Sequence, residues 1–350
     1  MTSKERVFRA IRGEKTDLVP VDLHNFMVCA RLTGRSFGDV FHDPALIAES
    51  QLKGAEIFGH DMLLVEAGVA TLAESCGCQL EYPADTSPWV TRAVFADIPP
   101  AEVKNALAKA ELPDPLKCGP LKILIDAVKI LIEKKGDELF ILGRADQGPF
   151  SLAAELRGIN DFLLDLAMEA DYIPDLLDFT SRAYYNYAKA LIDAGAHGTS
   201  MGESVAGPDV VSPQFYKKYA WKYEKRVIEQ LHEHDAIVSN HICGNADAII
   251  DDMVETQADI LEIDQKTNLE KACASAAGRC CILGVVNPAT FRHGTAEQLI
   301  DETRKVAEIA KKNPRFILGP GCALSGDTSV EQIKLFVQTA RKFGGHNSGK

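Results

Sequence analysis

The sequence predicts an α/β protein in which eight parallel strands and their helices close into a (β/α)8 barrel of the TIM type. Short apolar segments alternate with amphipathic segments along the 350 residues, most regularly from residue 138 onward. Such alternation is typical of βαβ units and a parallel sheet. The eight strand segments favour a closed barrel. A doubly wound sheet is the alternative, but no Gly-x-Gly-x-x-Gly follows the first strand, so nothing favours dinucleotide binding.

The elements can be placed in order along the chain. An amphipathic helix is predicted over residues 2–13. The strands are predicted at residues 18–24, 61–66, 138–143, 197–201, 236–241, 259–264, 281–284 and 316–319. Further helices are predicted at residues 43–58, 213–233, 246–256, 269–276, 295–312 and 329–343. Residues 101–136 are predicted to be mostly helical with breaks at Pro113, Pro115 and Pro120, and residues 151–194 to be helical segments interrupted near Gly158 and Pro174. Two extended runs joined by a polar turn predict a β-hairpin within residues 74–95. We expect one barrel domain over residues 1–350 with insertions at 74–95 and 100–136, and a disordered tail from Gly344.

The composition narrows the class of protein. The net charge of −12 argues against a nucleic-acid partner. The amino terminus has no apolar run of the kind found in signal peptides, and no segment has the length of a membrane span. Nine cysteines, an odd number at irregular spacing, argue against a disulfide framework and favour a reducing cytoplasm.

Two strand exits carry soft metal ligands. The fifth predicted strand runs into His241 and Cys243, followed by Gly-Asn, and the eighth runs into Gly-Pro-Gly and then Cys322. The carboxyl ends of barrel strands meet at one mouth, so residues distant in sequence can converge there. One imidazole and two thiolates form a zinc set that leaves a fourth position for a substrate. We therefore predict that His241, Cys243 and Cys322 hold one zinc ion.

Polar residues follow the other predicted strands and would face the same mouth. These are His24 and Asn25 after the first strand, Glu203 and Ser204 after the fourth, Asp264 and Gln265 after the sixth, and Asn287 after the seventh. Glu203, or failing that Asp264, is our candidate for a catalytic carboxylate, as the fourth zinc ligand or as a partner that orients His241. For binding a substrate's polar end the candidates are His24, Asn25, Gln265 and Asn287, with Lys266 a weaker one for an anionic group.

Seven segments resemble the uroporphyrinogen decarboxylase superfamily over nearly the whole chain. They lie at residues 4–21, 148–153, 202–215, 241–245, 263–266, 284–288 and 319–322. The His-x-Cys pair and the final Gly-x-Gly-Cys resemble its zinc-dependent branch in particular. That branch moves methyl groups between corrinoid proteins and small acceptors, and its best-known members are methylcobalamin:coenzyme M methyltransferases. The decarboxylases carry an arginine-rich segment after the first strand, whereas here residues 22–30 contain no arginine.

The resemblance implies a methyltransferase that uses zinc and a corrinoid. The corrinoid would arrive on a partner protein, since the chain has no cobalamin-binding Asp-x-His-x-x-Gly. The small acceptor would be a thiol activated at the zinc ion. Three alternatives stay open: a demethylating enzyme that passes a methyl group to a corrinoid protein, a binding protein in which zinc is structural, and a decarboxylase. Residues 74–95 and 100–136 are expected to help frame the surface where the corrinoid protein docks.

Overall fold

The structure, a computed structural model, describes residues 1–84 and 86–345. Its strands are β1 (Met62–Val65), β2 (Gln79–Glu81), β3 (Trp89–Arg92), β4 (Phe140–Gln147), β5 (Gly198–Glu203), β6 (Ile237–Ile242), β7 (Ile260–Ile263), β8 (Cys281–Val286) and β9 (Phe316–Pro320). Its helices are α1 (Ser3–Arg12), α2 (Phe26–Leu32), α3 (Phe37–Phe41), α4 (Pro44–Phe58), α5 (Thr71–Ser75), α6 (Pro100–Leu107), α7 (Gly119–Lys135), α8 (Pro149–Arg157), α9 (Ile159–Ala167), α10 (Ile173–Asp193), α11 (Pro213–Phe215), α12 (Lys222–His232), α13 (Ile250–Glu255), α14 (Leu269–Ala276), α15 (Pro288–His293), α16 (Ala296–Ala310) and α17 (Val330–Phe343). A π-helical segment, Tyr216–Trp221, joins α11 to α12.

The parallel sheet closes into a barrel. Seven strands pair in the order β1-β4-β5-β6-β7-β8-β9. Val21 and Asp22 form the closing segment, which pairs in parallel with β9 on one side and β1 on the other. The N–H of Asp22 donates to the carbonyl of Leu318 at 2.9 Å, and the N–H of Asp61 donates to that of Val21 at 2.8 Å. The predicted barrel is confirmed, although its first strand is shorter than expected, since Pro20 has no N–H to lengthen the ladder.

The hairpin lies where the sequence predicts it, but it is smaller. Strands β2 and β3 pair antiparallel. The hairpin prediction was wrong for residues 74 and 75, which belong to helix α5. The carbonyl of Ala84, in the turn, accepts from the N–H of Phe37 at 3.2 Å, so the turn lies against α3.

Several helices differ from the prediction. The predicted break in the helical stretch 101–136 is confirmed, since α6 and α7 are separated by the segment that holds the prolines at 113 and 115. Four short helices, α2, α3, α5 and α15, were not predicted, because each has too few residues to show a period of 3.6. A disordered tail was predicted from Gly344, but the carbonyl of Gly344 accepts a hydrogen bond from the N–H of Val19 at 3.0 Å. Residues 346–350 of that tail lie outside the described residues. Among the helices that the structure describes, none is both long and apolar enough to cross a membrane.

The barrel interior has two halves of opposite character. The lower half, at the amino ends of the strands, is apolar and is covered by Val7, Ala10 and Ile11 of α1. Its strand residues are Met62, Leu64, Phe140, Leu142, Ile260, Cys281, Leu283 and Ile317. Successive inward positions of a strand are two residues apart. The same faces therefore carry Glu66, Arg144 and Glu262 in the upper half, all of them buried. A separate, larger apolar core lies between the sheet and the surrounding helices.

Candidate metal centre

The structure brings the three predicted metal ligands together at the mouth of the barrel. The ligand atoms of His241, Cys243 and Cys322 all lie within 4.8 Å of one another. The Sγ of Cys243 is 3.3 Å from the Nε2 of His241. Ligands at about 2.1–2.3 Å from a tetrahedral zinc ion stand roughly 3.4–3.8 Å apart, so this donor set fits zinc. No other three histidine, cysteine or acidic residues of the described chain form such a group.

The loop after β6 is built to present Cys243. Gly244 follows with φ of 87°, a left-handed conformation that glycine adopts without strain. Its N–H donates to the Oδ2 of Asp264 at 3.0 Å, which ties the loop to the end of β7. Two residues on, the N–H of Ala246 donates to the hydroxyl of Thr267 at 3.0 Å. The thiol is therefore carried by a loop held from the neighbouring strand exit.

The tautomer of His241 is set by its second nitrogen. Nδ1 lies 3.0 Å from the backbone carbonyl of Glu262, an acceptor only, so Nδ1 carries a hydrogen and donates. Nε2 is then the nitrogen with a free lone pair, and it faces Cys243. A hydrogen bond of this kind is what usually orients a metal-bound imidazole.

The two thiols differ in acidity. A hydrogen bond from Cys322 lowers the pKa of Cys243, with the charge of Arg144 adding to the effect against burial. The same hydrogen bond, together with burial, raises the pKa of Cys322 to about 12. Burial would lower the pKa of His241, but the charges of Glu262 and Cys322 raise it to about 9. In this arrangement the thiol of Cys243 loses its proton before that of Cys322, and the thiol of Cys322 donates a hydrogen bond to the Cys243 thiolate.

A buried ionic network lies beside the three ligands. His24 is held between two carboxylates, with Nε2 at 2.8 Å from Glu66 and Nδ1 at 3.1 Å from Glu262. Burial opposes its charge, but both carboxylates raise the pKa of His24 well above its ordinary value. Arg144 completes the network, with Nε at 3.5 Å from Glu66 and Nη1 at 4.0 Å from Glu262. Burial would raise the pKa of Glu262, yet the charges of His241, His24 and Arg144 lower it to about 2.

Three members of this network, Glu66, Arg144 and Glu262, were not predicted from the sequence. Each interrupts or ends a strand that is otherwise apolar. An ionisable residue at an inward strand position is expensive to bury unless it is paired. That break in the apolar pattern is the signal that could have identified them.

Glu203 and Asp264, the predicted catalytic carboxylates, both accept hydrogen bonds from backbone N–H groups. The two oxygens of Glu203 accept from the N–H groups of Phe150 at 3.0 Å and Ser151 at 2.8 Å, at the start of α8. Burial raises the pKa of Glu203 to about 7. Asp264 accepts from Gly244 and, at 2.9 Å, from the N–H of the residue two positions on. Neither carboxylate belongs to the group of three ligands, so both are placed as supports of loops at the mouth.

The four predicted substrate-binding residues are spread over different places. His24 is in the ionic network, with both ring nitrogens engaged. Asn25 is buried near helix α4, where its Nδ2 faces Gly54. Gln265 lies at the mouth, with its Oε1 against Gly321, the residue before Cys322. Asn287 caps helix α15, because its Oδ1 accepts from the N–H of Ala289 in the first turn at 2.9 Å. Of the four, Gln265 is the one beside the metal ligands, and its Oε1 has no hydrogen-bond partner among the described residues.

The whole chain matches one known family. A model of the uroporphyrinogen decarboxylase family, URO-D, matches residues 2–343. The methylcobamide:CoM methyltransferase MtbA of Methanosarcina acetivorans is 27% identical, over 98% of this chain and 98% of that protein. The uroporphyrinogen decarboxylase of Thermodesulfovibrio yellowstonii is 25% identical, over 97% and 98%. A solved structure, a methyltransferase from Methanosarcina mazei, superimposes with a TM-score of 0.88 at 25% identity, covering 98% of this chain and 99% of that one.

Proposed function

The chain belongs to the uroporphyrinogen decarboxylase family, and we propose that it is a zinc-dependent methyltransferase of that family. It moves a methyl group between a corrinoid carried by a partner protein and a small thiol. The observation that carries the proposal is the group formed by His241, Cys243 and Cys322 at the mouth of the barrel. The chain is similar over nearly its full length to a methylcobamide:CoM methyltransferase and to a solved methyltransferase, and this similarity supports the same activity.

The donor set explains how a thiol would be activated. When bound, zinc supplies a positive charge that favours the thiolate form of a substrate thiol, and the thiolate is the nucleophile toward a methyl group. Two cysteines and a histidine leave one position for that substrate. His241 presents Nε2 because its Nδ1 is committed to the carbonyl of Glu262. Asp264 holds the loop that carries Cys243.

The charges of the barrel count against decarboxylation of a substrate with many carboxylates. The segment after the closing strand has no arginine before Arg31, which is exposed and donates to the carbonyl of Thr328 at 2.6 Å. Inside the barrel, the two cations Arg144 and His24 stand next to the two carboxylates of Glu66 and Glu262, so the network has no excess of positive charge for several substrate carboxylates. A polyanionic substrate would find little net positive charge there.

The corrinoid has to reach the mouth from outside, on its partner protein. The hairpin turn reaches this rim, because Pro88 lies against Gly68, in the loop after β1. The next residue, Trp89, is 45% exposed. On another rim loop, Val210 is 44% exposed, while its neighbour Asp209 lies against the glycine after Cys243. Exposed apolar side chains at a rim fit a docking surface for a partner. The insertion at 100–136 is the second part of this surface.

Methylcobalamin provides a direct test of the activity and its direction. Purified zinc-loaded protein is mixed with methylcobalamin and a panel of thiols that begins with coenzyme M, and the visible spectrum is followed. We expect thiol-dependent loss of the methyl–cobalt absorbance, and no loss with protein whose zinc has been removed. If no thiol causes the loss, but reduced cobalamin is methylated from a methoxylated compound, the demethylating direction replaces the proposed one. If neither occurs with protein that holds one zinc ion, zinc has a structural role and the proposal is wrong.

A further inference from the structure

The guanidinium of Arg144 is buried inside the barrel with few hydrogen bonds. Arg144 is 4% exposed and lies on the inward face of β4. Its Nη1 donates to the neutral hydroxyl of Ser200 at 3.3 Å. Its Nε has no hydrogen-bond partner within the described residues, since Glu66 is 3.5 Å away in poor geometry. A buried arginine with N–H donors that lack partners lowers the stability of the fold, so a functional reason for its position is expected.

Gly202 places this guanidinium next to the metal centre. A Cβ on Gly202 would overlap the Nη2 of Arg144 and lie 3.0 Å from its Cζ, so only glycine leaves room for the group. In the sheet, Gly202 is in register with His241 on the neighbouring strand. Neighbouring strands stand about 4.8 Å apart, so the positive charge lies about one strand spacing from a metal ligand.

The positive charge of Arg144 interacts with both thiols of the metal centre. Burial would lower the pKa of Arg144, but the charges of Glu66, Glu262, Cys322 and Cys243 raise it. His24, the other cation of this network, has a carboxylate on each ring nitrogen. Arg144 is therefore the cation of the network whose field reaches the metal ligands.

We propose that Arg144 supplies the charge that allows the metal centre to hold a substrate as a third thiolate beside Cys243 and Cys322. The inference rests on the proposed zinc-dependent activation of a thiol. Zinc with two cysteine thiolates is electrically neutral, so a substrate thiolate brings a net negative charge into a buried site. A buried charge needs a partner of opposite sign nearby. Arg144 acts through the metal centre and is a positioning residue for the substrate sulfur.

Cobalt(II) in place of zinc makes the role measurable without turnover, because sulfur bound to cobalt gives a charge-transfer band. We would titrate the cobalt-loaded protein with 2-mercaptoethanol, which binds as an anion, and separately with imidazole, which binds as a neutral ligand. Arg144→Gln should weaken thiol binding about 10- to 100-fold, as expected for unit charges several ångström apart at an effective dielectric constant of about 20. Imidazole binding should change less than about twofold, and Arg144→Lys should recover most of the thiol affinity.

A matched control is Arg157→Gln, which removes another buried arginine, one bound to Asp165 and Tyr172. Its thiol affinity should equal that of the unsubstituted protein. If Arg144→Gln binds the thiol as tightly as the unsubstituted protein, or loses imidazole binding to the same extent, the inference is overturned. If the unsubstituted cobalt protein shows no thiol-dependent band, the proposed thiol activation fails and this inference fails with it.

A second variant decides the question if Arg144→Gln does not fold. Gly202→Ala keeps every charge but pushes the guanidinium away from the metal centre. The same selective loss of thiol binding, with imidazole binding retained, would support the role of Arg144. Unchanged thiol affinity in a folded Gly202→Ala protein would overturn it.

Discussion

The two halves of the barrel interior are built by the same strands and differ in almost every physical property. In the lower half, Phe140 and its apolar neighbours pack against helix α1. Four residues further along the same strand, Arg144 joins His24, Glu66 and Glu262 in a buried ionic network. Apolar packing stabilises the fold, whereas buried ion pairs contribute little net stability and often cost it. The difference indicates that the upper half is retained for chemistry at the mouth, at the expense of stability that the lower half provides.

The largest expected contrast is between two cysteines of the interior. Cys322→Ser should lose more than about 100-fold in zinc affinity, because a neutral hydroxyl replaces a thiolate ligand. Cys281→Ser, in the lower half, should keep one zinc ion and lose about 1–2 kcal/mol of unfolding free energy, because it buries a hydroxyl among apolar groups. Metal analysis and urea unfolding of both variants measure the contrast. Full zinc content in Cys322→Ser would mean that the centre is not where we place it.

A substitution in the lower half should give the reverse pattern. Phe140→Ala removes a fully buried ring that packs edge-on against Phe8 at 5.0 Å between centroids. We expect the free energy of unfolding to fall by about 3–5 kcal/mol, as for other buried aromatic residues truncated to alanine. Zinc content and thiol affinity should stay unchanged in the folded protein, since the upper half is untouched. A loss of zinc in protein that is still folded by circular dichroism would break the separation between the halves.

The apolar lower half and the metal ligands could be predicted from the sequence, whereas the ionic network of the upper half could not. Alternation of apolar residues marks inward and outward positions, and the exits of the strands identified His241, Cys243 and Cys322. Partners across the barrel cannot be predicted in this way, because Glu66 and Glu262 are 196 positions apart and are brought together by their contacts with His24 and Arg144. The same limit explains the placement of Glu203 and Asp264. Whether a carboxylate faces a metal ion or the N–H groups of a neighbouring loop depends on tertiary contacts, not on its place after a strand.

Asp22 provides a test of how much folding stability is lost by burying charged groups in the upper half of the barrel. Both of its oxygens are buried and have no hydrogen-bond partner in the described part of the chain. Burial, together with the charge of Glu262, raises the pKa of Asp22 to about 7. Its unfolded pKa is about 3.9. The folded state holds this proton to higher pH, so the contribution of Asp22 to stability is greatest below pH 4 and is lost as pH rises from 4 through 7.

Asp22→Asn removes this titration while keeping the shape of the side chain. We expect it to raise the unfolding free energy by about 2–4 kcal/mol at pH 8 and to have little effect at pH 4. Urea unfolding at the two pH values measures the difference. Equal effects at both pH values would show that the carboxyl is not perturbed, and that the upper half is less costly than we infer.

The smallest expected effect separates a support at the mouth from a ligand. Asp264→Asn keeps one carbonyl oxygen but weakens the two hydrogen bonds that the carboxylate accepts from Gly244 and Lys266. We expect a loss of about 1 kcal/mol in unfolding free energy and a decrease in zinc affinity of no more than about 10-fold, as is usual for a residue that orients a ligand loop. Zinc competition with a chelator measures the second quantity. A loss as large as that of Cys322→Ser would identify Asp264 as the fourth ligand, whereas a small loss leaves that position to the substrate.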